Sequence, residues 1–162
     1  NGVLLSIFSA SGQSCVAGSR LLLHESIHDK ILDRIASRAR KIRIGDPLEE
    51  TSQMGPLATL AQLNNIKSTV ADATANGATL IYGGGRPAHL EKGWYCEPTI
   101  VDCPDQNLEI VQRELFGPVV SVLRFRDEAE AIKLANDTRY GLASGVFTTN
   151  IGRAFRDRKS VV

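Results

Sequence analysis

The first residue that could carry chemistry is a single cysteine set among small side chains. Cys15 follows residues 9–14, SASGQS, and precedes Ala17 and Gly18. A free thiol has a pKa of about 8.5, so a nucleophilic cysteine needs nearby backbone N–H groups and room for the substrate. A turn of small residues leaves the sulfur uncrowded and lets amide hydrogens converge on the oxyanion that forms when a thiolate attacks a carbonyl. Without further support, an isolated cysteine is more often a small buried hydrophobic residue.

The residues around Cys15 resemble the active-site signature of the aldehyde dehydrogenase family. Residues 8–19 read FSASGQSCVAGS and agree with that signature at every position it restricts. The resemblance implies that Cys15 is the catalytic nucleophile.

A second motif of the same family lies about a hundred residues downstream, in residues 114–118, ELFGP. It resembles the segment that holds the nicotinamide half of the cofactor, NAD or NADP. The resemblance implies that Glu114 binds the ribose hydroxyls and that Phe116 packs near the nicotinamide ring. A carboxylate offers two acceptor oxygens to a diol, and an aromatic face limits ring motion. Taken alone, this motif would indicate a helix end and a turn with a solvated glutamate.

The resemblance continues through residues 135–148, ANDTRYGLASGVFT, and more loosely through 55–56, 93–95 and 97–99. We expect Asn136, Tyr140 and Gly141 to turn the chain from a helix to a strand. No family role is implied for the other two cysteines or for the three histidines.

The reaction that the resemblance implies is oxidation of a small-molecule aldehyde to a carboxylic acid. The thiolate of Cys15 adds to the aldehyde, hydride passes to the nicotinamide, and water hydrolyses the resulting thioester. The family also implies a homo-oligomer.

The chain departs from the family in what precedes the cysteine. A complete member has a dinucleotide-binding domain, a general-base glutamate and an oxyanion-hole asparagine there, whereas fourteen residues precede Cys15. We therefore expect residues 1–155 to be part of the catalytic domain and residues 156–162 to be a tail outside the family pattern. Truncation, a frame shift or proteolysis would each explain this, and we expect the fragment alone to be inactive.

Two other functions remain open. One is a folded, non-catalytic remnant that self-associates through apolar surface uncovered by the missing domain. The other is a related thiol-dependent reductase that acts on acyl phosphates or acyl-CoA.

Alternating strands and helices predict the scaffold for these motifs. Strands are expected at residues 20–24, 78–82, 119–125 and 144–148, and Pro98 makes residues 95–101 an edge or irregular strand. Amphipathic helices are expected at about residues 27–42, 60–76 and 128–136. Ser26 is the expected cap of the first and Asp127 that of the third. A further helix is expected to start at residue 151. This order predicts an α/β fold, truncated, with a mostly parallel sheet covered by helices on both faces.

The composition is that of one ordinary globular domain. Of the 162 residues, 43% are hydrophobic, and 19 basic against 18 acidic residues leave a net charge of +1. So small a net charge argues against nucleic acid as a partner, and the absence of a long apolar run argues against a membrane span. Three cysteines without paired spacing indicate neither a disulfide framework nor a metal site. The expected location is the cytoplasm.

Overall fold

Four strands form one mixed sheet in the computed structural model, which describes residues 2–156. The strands are β1 (Arg20–His24), β2 (Thr79–Tyr82), β3 (Thr99–Asp102) and β4 (Val119–Phe125). Their order across the sheet is β1-β4-β3-β2. Strand β4 is parallel to both β1 and β3, while β2 pairs antiparallel with β3 at one edge. The predicted mostly parallel sheet is therefore confirmed.

Six helices accompany these strands within the described residues. They are α1 (Gly2–Phe8), α2 (Glu25–Ala39), α3 (Leu60–Ala75), α4 (Glu109–Gln112), α5 (Glu128–Asn136) and α6 (Ile151–Arg156). Asp127 caps α5 as predicted, because its side chain accepts a hydrogen bond from the amide of Glu130. The predicted cap of α2 is wrong: the side chain of His24 accepts from the amide of Ser26. None of the described helices is long and apolar enough to cross a membrane.

Strand β4 shows how both faces of the sheet are covered. Val119 and Leu123 belong to the buried cluster that contains the inward side chains of α3 and α4. Val120 and Val122 point to the other face and belong to the cluster that contains residues of α1 and α2. These four apolar side chains are at most 3% exposed, as expected for a strand buried on both faces.

Two strand predictions were wrong. Pro98 was expected to make its strand an edge or irregular one, but β3 lies inside the sheet. The strand begins at Thr99, one residue after the proline, so the missing N–H of Pro98 removes no ladder bond.

Residues 144–148 were predicted to be a strand and form none. Val146 is 52% exposed and Phe147 is 77% exposed. This segment pairs with no strand among residues 2–156, and an extended segment without a partner has no ladder to stabilise it.

The predicted tail, residues 156–162, lies almost wholly outside the described residues. Its first residue, Arg156, is the last residue of α6.

Candidate active site

Cys15 is exposed on a turn between α1 and β1. Helix α1 ends at Phe8, and a short 3-10 segment, Ser9–Gly12, follows it. The amide of Ala17 then donates to the carbonyl oxygen of Ser14 at 3.0 Å, closing a turn that carries Cys15. An exposed thiol on a tight turn agrees with the accessible nucleophile predicted from the small residues.

The turn is preceded by three consecutive residues with left-handed backbone. Their φ angles are 50° at Ala10, 56° at Ser11 and 67° at Gly12. A left-handed conformation costs a non-glycine residue about 1–2 kcal/mol. Such residues persist only where the surroundings hold them, and they cluster at functional sites. They were not predicted, because alanine and serine rarely adopt this conformation.

The chain around residues 55–58 holds this loop in place. The hydroxyl of Ser11 donates to the carbonyl oxygen of Gly55 at 2.9 Å, and the side-chain oxygen of Gln13 accepts from the amide of Ala58 at 2.9 Å. On the other side, the amide of Gly18 donates to the carbonyl oxygen of Ser6 at 2.9 Å. Long-range hydrogen bonds thus fix the loop at both ends.

The second motif forms the connection from α4 to β4. Leu115 is buried, whereas Glu114 and Phe116 on either side of it are exposed. Phe116 has a φ of 53°, the only left-handed non-glycine residue outside the cysteine loop in the described chain. Gln62 of α3 donates to the carbonyl oxygens of Leu115 and Phe116. The side chain of Gln62 therefore holds the backbone of this motif, while the two side chains assigned to the cofactor are exposed.

The carboxylate of Glu114 has no hydrogen bond or ion pair to any of residues 2–156. Its backbone amide donates to the hydroxyl of Tyr140 at 3.4 Å. Tyr140 is 44% exposed and was expected only to help turn the chain from α5 towards a strand. Its contact with Glu114 was not predicted, since nothing in the spacing of the two motifs indicates which side chains meet.

The cysteine loop and the second motif touch through their backbones. Gly12 lies against Gly117 so closely that a Cβ atom built on Gly12 would overlap the carbonyl oxygen of Gly117. Both loops precede neighbouring parallel strands, since Arg20 of β1 pairs with Ser121 of β4. The two predicted motifs therefore lie together at the amino ends of these strands.

The other two cysteines are unlike Cys15. Cys96 is 1% exposed and Cys103 is 3% exposed. Burial raises the pKa of each thiol to about 11. Because the thiolate is the nucleophilic form, both are poor nucleophiles at neutral pH.

A groove of about 580 Å³ lies at the opposite ends of these strands, lined by residues that include Asp102, Arg124 and Glu130. The first two are already paired: Asp102 binds the buried His28 at 3.0 Å, and Arg124 binds Asp29 at 3.0 Å. His28 is fully buried and hydrogen bonded, as expected for a histidine without a catalytic role. No group of three or more potential metal ligands is found in the described part of the chain.

The observed class is thus an α/β catalytic-domain fold with an exposed thiol at the amino end of a parallel strand. Comparison with known proteins agrees with it: the sequence model described as the aldehyde dehydrogenase family matches residues 1–161. The chain belongs to the aldehyde dehydrogenase family.

Its relatives share close to half of its residues. It is 46% identical over 158 residues to aminoaldehyde dehydrogenase 2 of Zea mays, covering 98% of this chain and 31% of that protein. It is 46% identical over 157 residues to betaine aldehyde dehydrogenase of Brucella anthropi, covering 96% of this chain and 32% of that protein. The chain spans about a third of the length of these curated relatives.

Among solved structures, the chain is similar to betaine aldehyde dehydrogenase from Staphylococcus aureus in complex with NAD+. The TM-score is 0.95 and the identity 42%, over 98% of this chain and 32% of that one. A mutant aldehyde dehydrogenase from Bacillus cereus gives a TM-score of 0.94 at 35% identity, over 99% of this chain and 32% of that one. The described architecture is that of the family.

Proposed function

We propose that this chain is the portion of an NAD(P)-dependent aldehyde dehydrogenase that carries the nucleophile and the nicotinamide-binding loop. Cys15 is the nucleophile, and Glu114 and Phe116 bind the cofactor. The observation that carries the proposal is the contact of Gly12 with Gly117, which joins the loop of an exposed thiol to the loop of a carboxylate that has no partner within the described residues. The relatives, named as aldehyde dehydrogenases, support it.

Cys15 forms a carbon–sulfur bond to the aldehyde carbon, and the carbonyl oxygen becomes an oxyanion. The backbone amides of Cys15 and Val16 make no hydrogen bond to other described residues. Free amide hydrogens on the turn of the nucleophile are suited to stabilise that oxyanion.

The residues present fit the nicotinamide half of NAD or NADP. Glu114 has a carboxylate without a partner among residues 2–156, and Phe116 has a ring that is 45% exposed. When bound, the nicotinamide supplies the hydride acceptor. Glu114 would accept hydrogen bonds from the ribose hydroxyls, and the ring of Phe116 would restrict motion of the bound group. The relative from Staphylococcus aureus is in complex with NAD+, which supports NAD as the cofactor.

The substrate is a small aldehyde. Because the relatives are named for aminoaldehydes and betaine aldehyde, aldehydes with an amino or ammonium group are the first class to test. For the whole protein we also propose a cytoplasmic location, which three unpaired cysteines support, and a homo-oligomer.

A self-associating chain is a second candidate for the fragment alone. Leu142 is 66% exposed, Phe147 is 77% exposed and Ile151 is 72% exposed. Apolar side chains concentrated in one segment favour association with another surface. Light scattering tests this, and a monomer at high protein concentration would contradict it.

Acylation or alkylation of the thiol tests the proposed nucleophile without requiring a cofactor. The chain is treated with p-nitrophenyl acetate or limiting iodoacetamide, and each cysteine is followed by mass spectrometry. We expect modification of Cys15 well before Cys96 or Cys103, and loss of that fast phase in Cys15→Ser. Equal modification of the three thiols in the folded chain would contradict the assignment.

Turnover with NAD+ or NADP+ tests the fragment. We expect no aldehyde oxidation by residues 1–162 alone. Robust oxidation that Cys15→Ala abolishes would show that this expectation is wrong while supporting the nucleophile.

A further inference from the structure

Arg20, the first residue of β1, places a guanidinium group at the carboxyl end of α5. Its Nη2 donates to the carbonyl oxygen of Leu134 at 2.5 Å, and its Nη1 donates to that of Ala135 at 3.2 Å. Carbonyls in the last turn of a helix have no partner within the helix, and a cation there also interacts favourably with the helix dipole. Burial lowers the pKa of Arg20, and the nearby carboxylate of Asp137 opposes that shift. The strand that follows Cys15 is thus tied to the end of α5.

Two glutamine side chains extend this connection to the second motif. Nη2 of Arg20 also donates to the side-chain oxygen of Gln106 at 3.2 Å. The amide nitrogen of Gln106 in turn donates to the carbonyl oxygen of Asp137 at 2.7 Å, and that of Gln112 donates to the same oxygen at 2.9 Å. Gln106 is only 8% exposed, so these bonds are largely shielded from water. Gln112 is the last residue of α4 and lies two residues before Glu114.

The same segment of chain ends at Tyr140. Asp137 follows α5 directly, and three residues later the hydroxyl of Tyr140 accepts the backbone amide of Glu114 at 3.4 Å. The segment 137–140 therefore meets the second motif at two points, Gln112 and Glu114. Arg20 binds the last turn of α5, just before this segment, and reaches Asp137 through Gln106.

We propose that Arg20 is a positioning residue for the cofactor loop, acting through Gln106 and the segment 137–140 on the backbone of Glu114. The proposal rests on the proposed function of Glu114. Physically, a planar guanidinium with several donors can bind two carbonyls and an amide oxygen together, which a lysine ammonium on a flexible stem does less well. The hydrogen bonds of Arg20 link the strand that follows the nucleophile to the end of α5 and to Gln106, and the bonds of Asp137 and Tyr140 continue the connection to Gln112 and Glu114.

Amide exchange of Glu114, followed by NMR in the full chain, tests the connection directly. In Tyr140→Phe, which removes only a hydroxyl, we expect about fivefold faster exchange, the effect of one lost hydrogen bond. In Arg20→Met we expect exchange at Glu114 to be faster by about threefold or more, because the coupling passes through intermediate groups. Arg113→Met is the matched control: it removes an arginine next to Glu114 that pairs, among residues 2–156, with the exposed Glu109. The protection of the Glu114 amide, measured relative to its exchange in the unfolded chain of the same variant, should stay unchanged.

Titration with NAD+, followed at the same amide, separates positioning from a general loss of stability. Under conditions where all variants are folded, Arg20→Met and Tyr140→Phe should weaken NAD+ binding severalfold while the alkylation rate of Cys15 stays the same. Unchanged exchange at Glu114 in folded Arg20→Met would overturn the proposal, as would equally faster exchange across the whole sheet. Lack of any response to NAD+ in the unmodified chain would contradict cofactor binding by this portion on its own, and the exchange rates would still decide the role of Arg20.

Discussion

Replacement of Gly12 by alanine should disrupt the candidate site, whereas the same change at Gly77 or Gly141 should not. Gly12 has a φ of 67°, and a Cβ atom there would overlap the carbonyl group of Gly117 and the nitrogen of Pro118. These are backbone atoms, so no side-chain rotation relieves the overlap. Either the cysteine loop or the start of β4 must move.

The expected magnitude follows from two separate costs. A left-handed alanine costs about 1–2 kcal/mol relative to glycine. Forcing a methyl group into a close-packed contact adds about 1–3 kcal/mol. We therefore expect Gly12→Ala to lower the free energy of unfolding by about 2–5 kcal/mol, the sum of these costs. The alkylation rate of Cys15 should change with it, because the loop that carries the thiol has moved.

Two further glycines provide matched controls. Gly77 has a φ of 94° with nothing within 4 Å of a built Cβ atom, so Gly77→Ala should incur the conformational cost alone. Gly141 also has open space around it and no left-handed φ, so Gly141→Ala should be neutral or slightly stabilising. Urea denaturation measures all three variants. If Gly12→Ala is no more destabilising than Gly77→Ala, then the contact between the two loops is not as close as described.

Three further predictions concern stability. Ala10→Gly should raise the free energy of unfolding by about 1 kcal/mol, because glycine relieves the left-handed φ of 50°; a lower urea midpoint would contradict this. His28→Ala should cost about 2–4 kcal/mol in urea denaturation, because it leaves a cavity and removes the hydrogen bond to Asp102, which keeps Arg124 as a partner. Asp29→Asn on the exposed side should cost about 1 kcal/mol or less. The hydrogen bond from Arg156, with the charges of Arg156 and Arg153, lowers the pKa of Glu128 from 4.5 to about 2. The ion pairs that attach α6 to α5 are therefore present above pH 4.5 and are lost as the pH falls towards 2. Amide exchange in α6 measures this loss, and Glu128→Gln should remove the pH dependence.

Much of the fold could be predicted because the apolar pattern of each element matches its burial. Strands β1 and β4 and helix α5 have the predicted bounds, and α3 ends one residue early, at Ala75. The prediction of a strand at residues 144–148 failed because the local pattern does not show whether a partner strand is present. The prediction that β3 is an edge or irregular strand failed because a proline can also stand just before the first residue of an inner strand, as Pro98 does.

The site shows the same division between local and long-range information. The types and order of residues around Cys15 and Glu114 identified both motifs. Their contact, the left-handed run at residues 10–12 and the bond between Tyr140 and Glu114 depend on segments brought together by folding. No spacing within one motif could have indicated them.

The contact between the two loops also bears on which of the three thiols is accessible. The chain has three thiols, and the two in its buried clusters have a pKa of about 11. Cys15 is exposed just after residues with left-handed backbone, which are held by the contact with Gly117 and by hydrogen bonds to Gly55 and Ala58. The conformational cost of these left-handed residues is thus linked to access to the sulfur. A change that lowers this cost, such as Ala10→Gly, should stabilise the chain. A change that prevents the contact with Gly117, such as Gly12→Ala, should both destabilise the chain and alter the reactivity of Cys15.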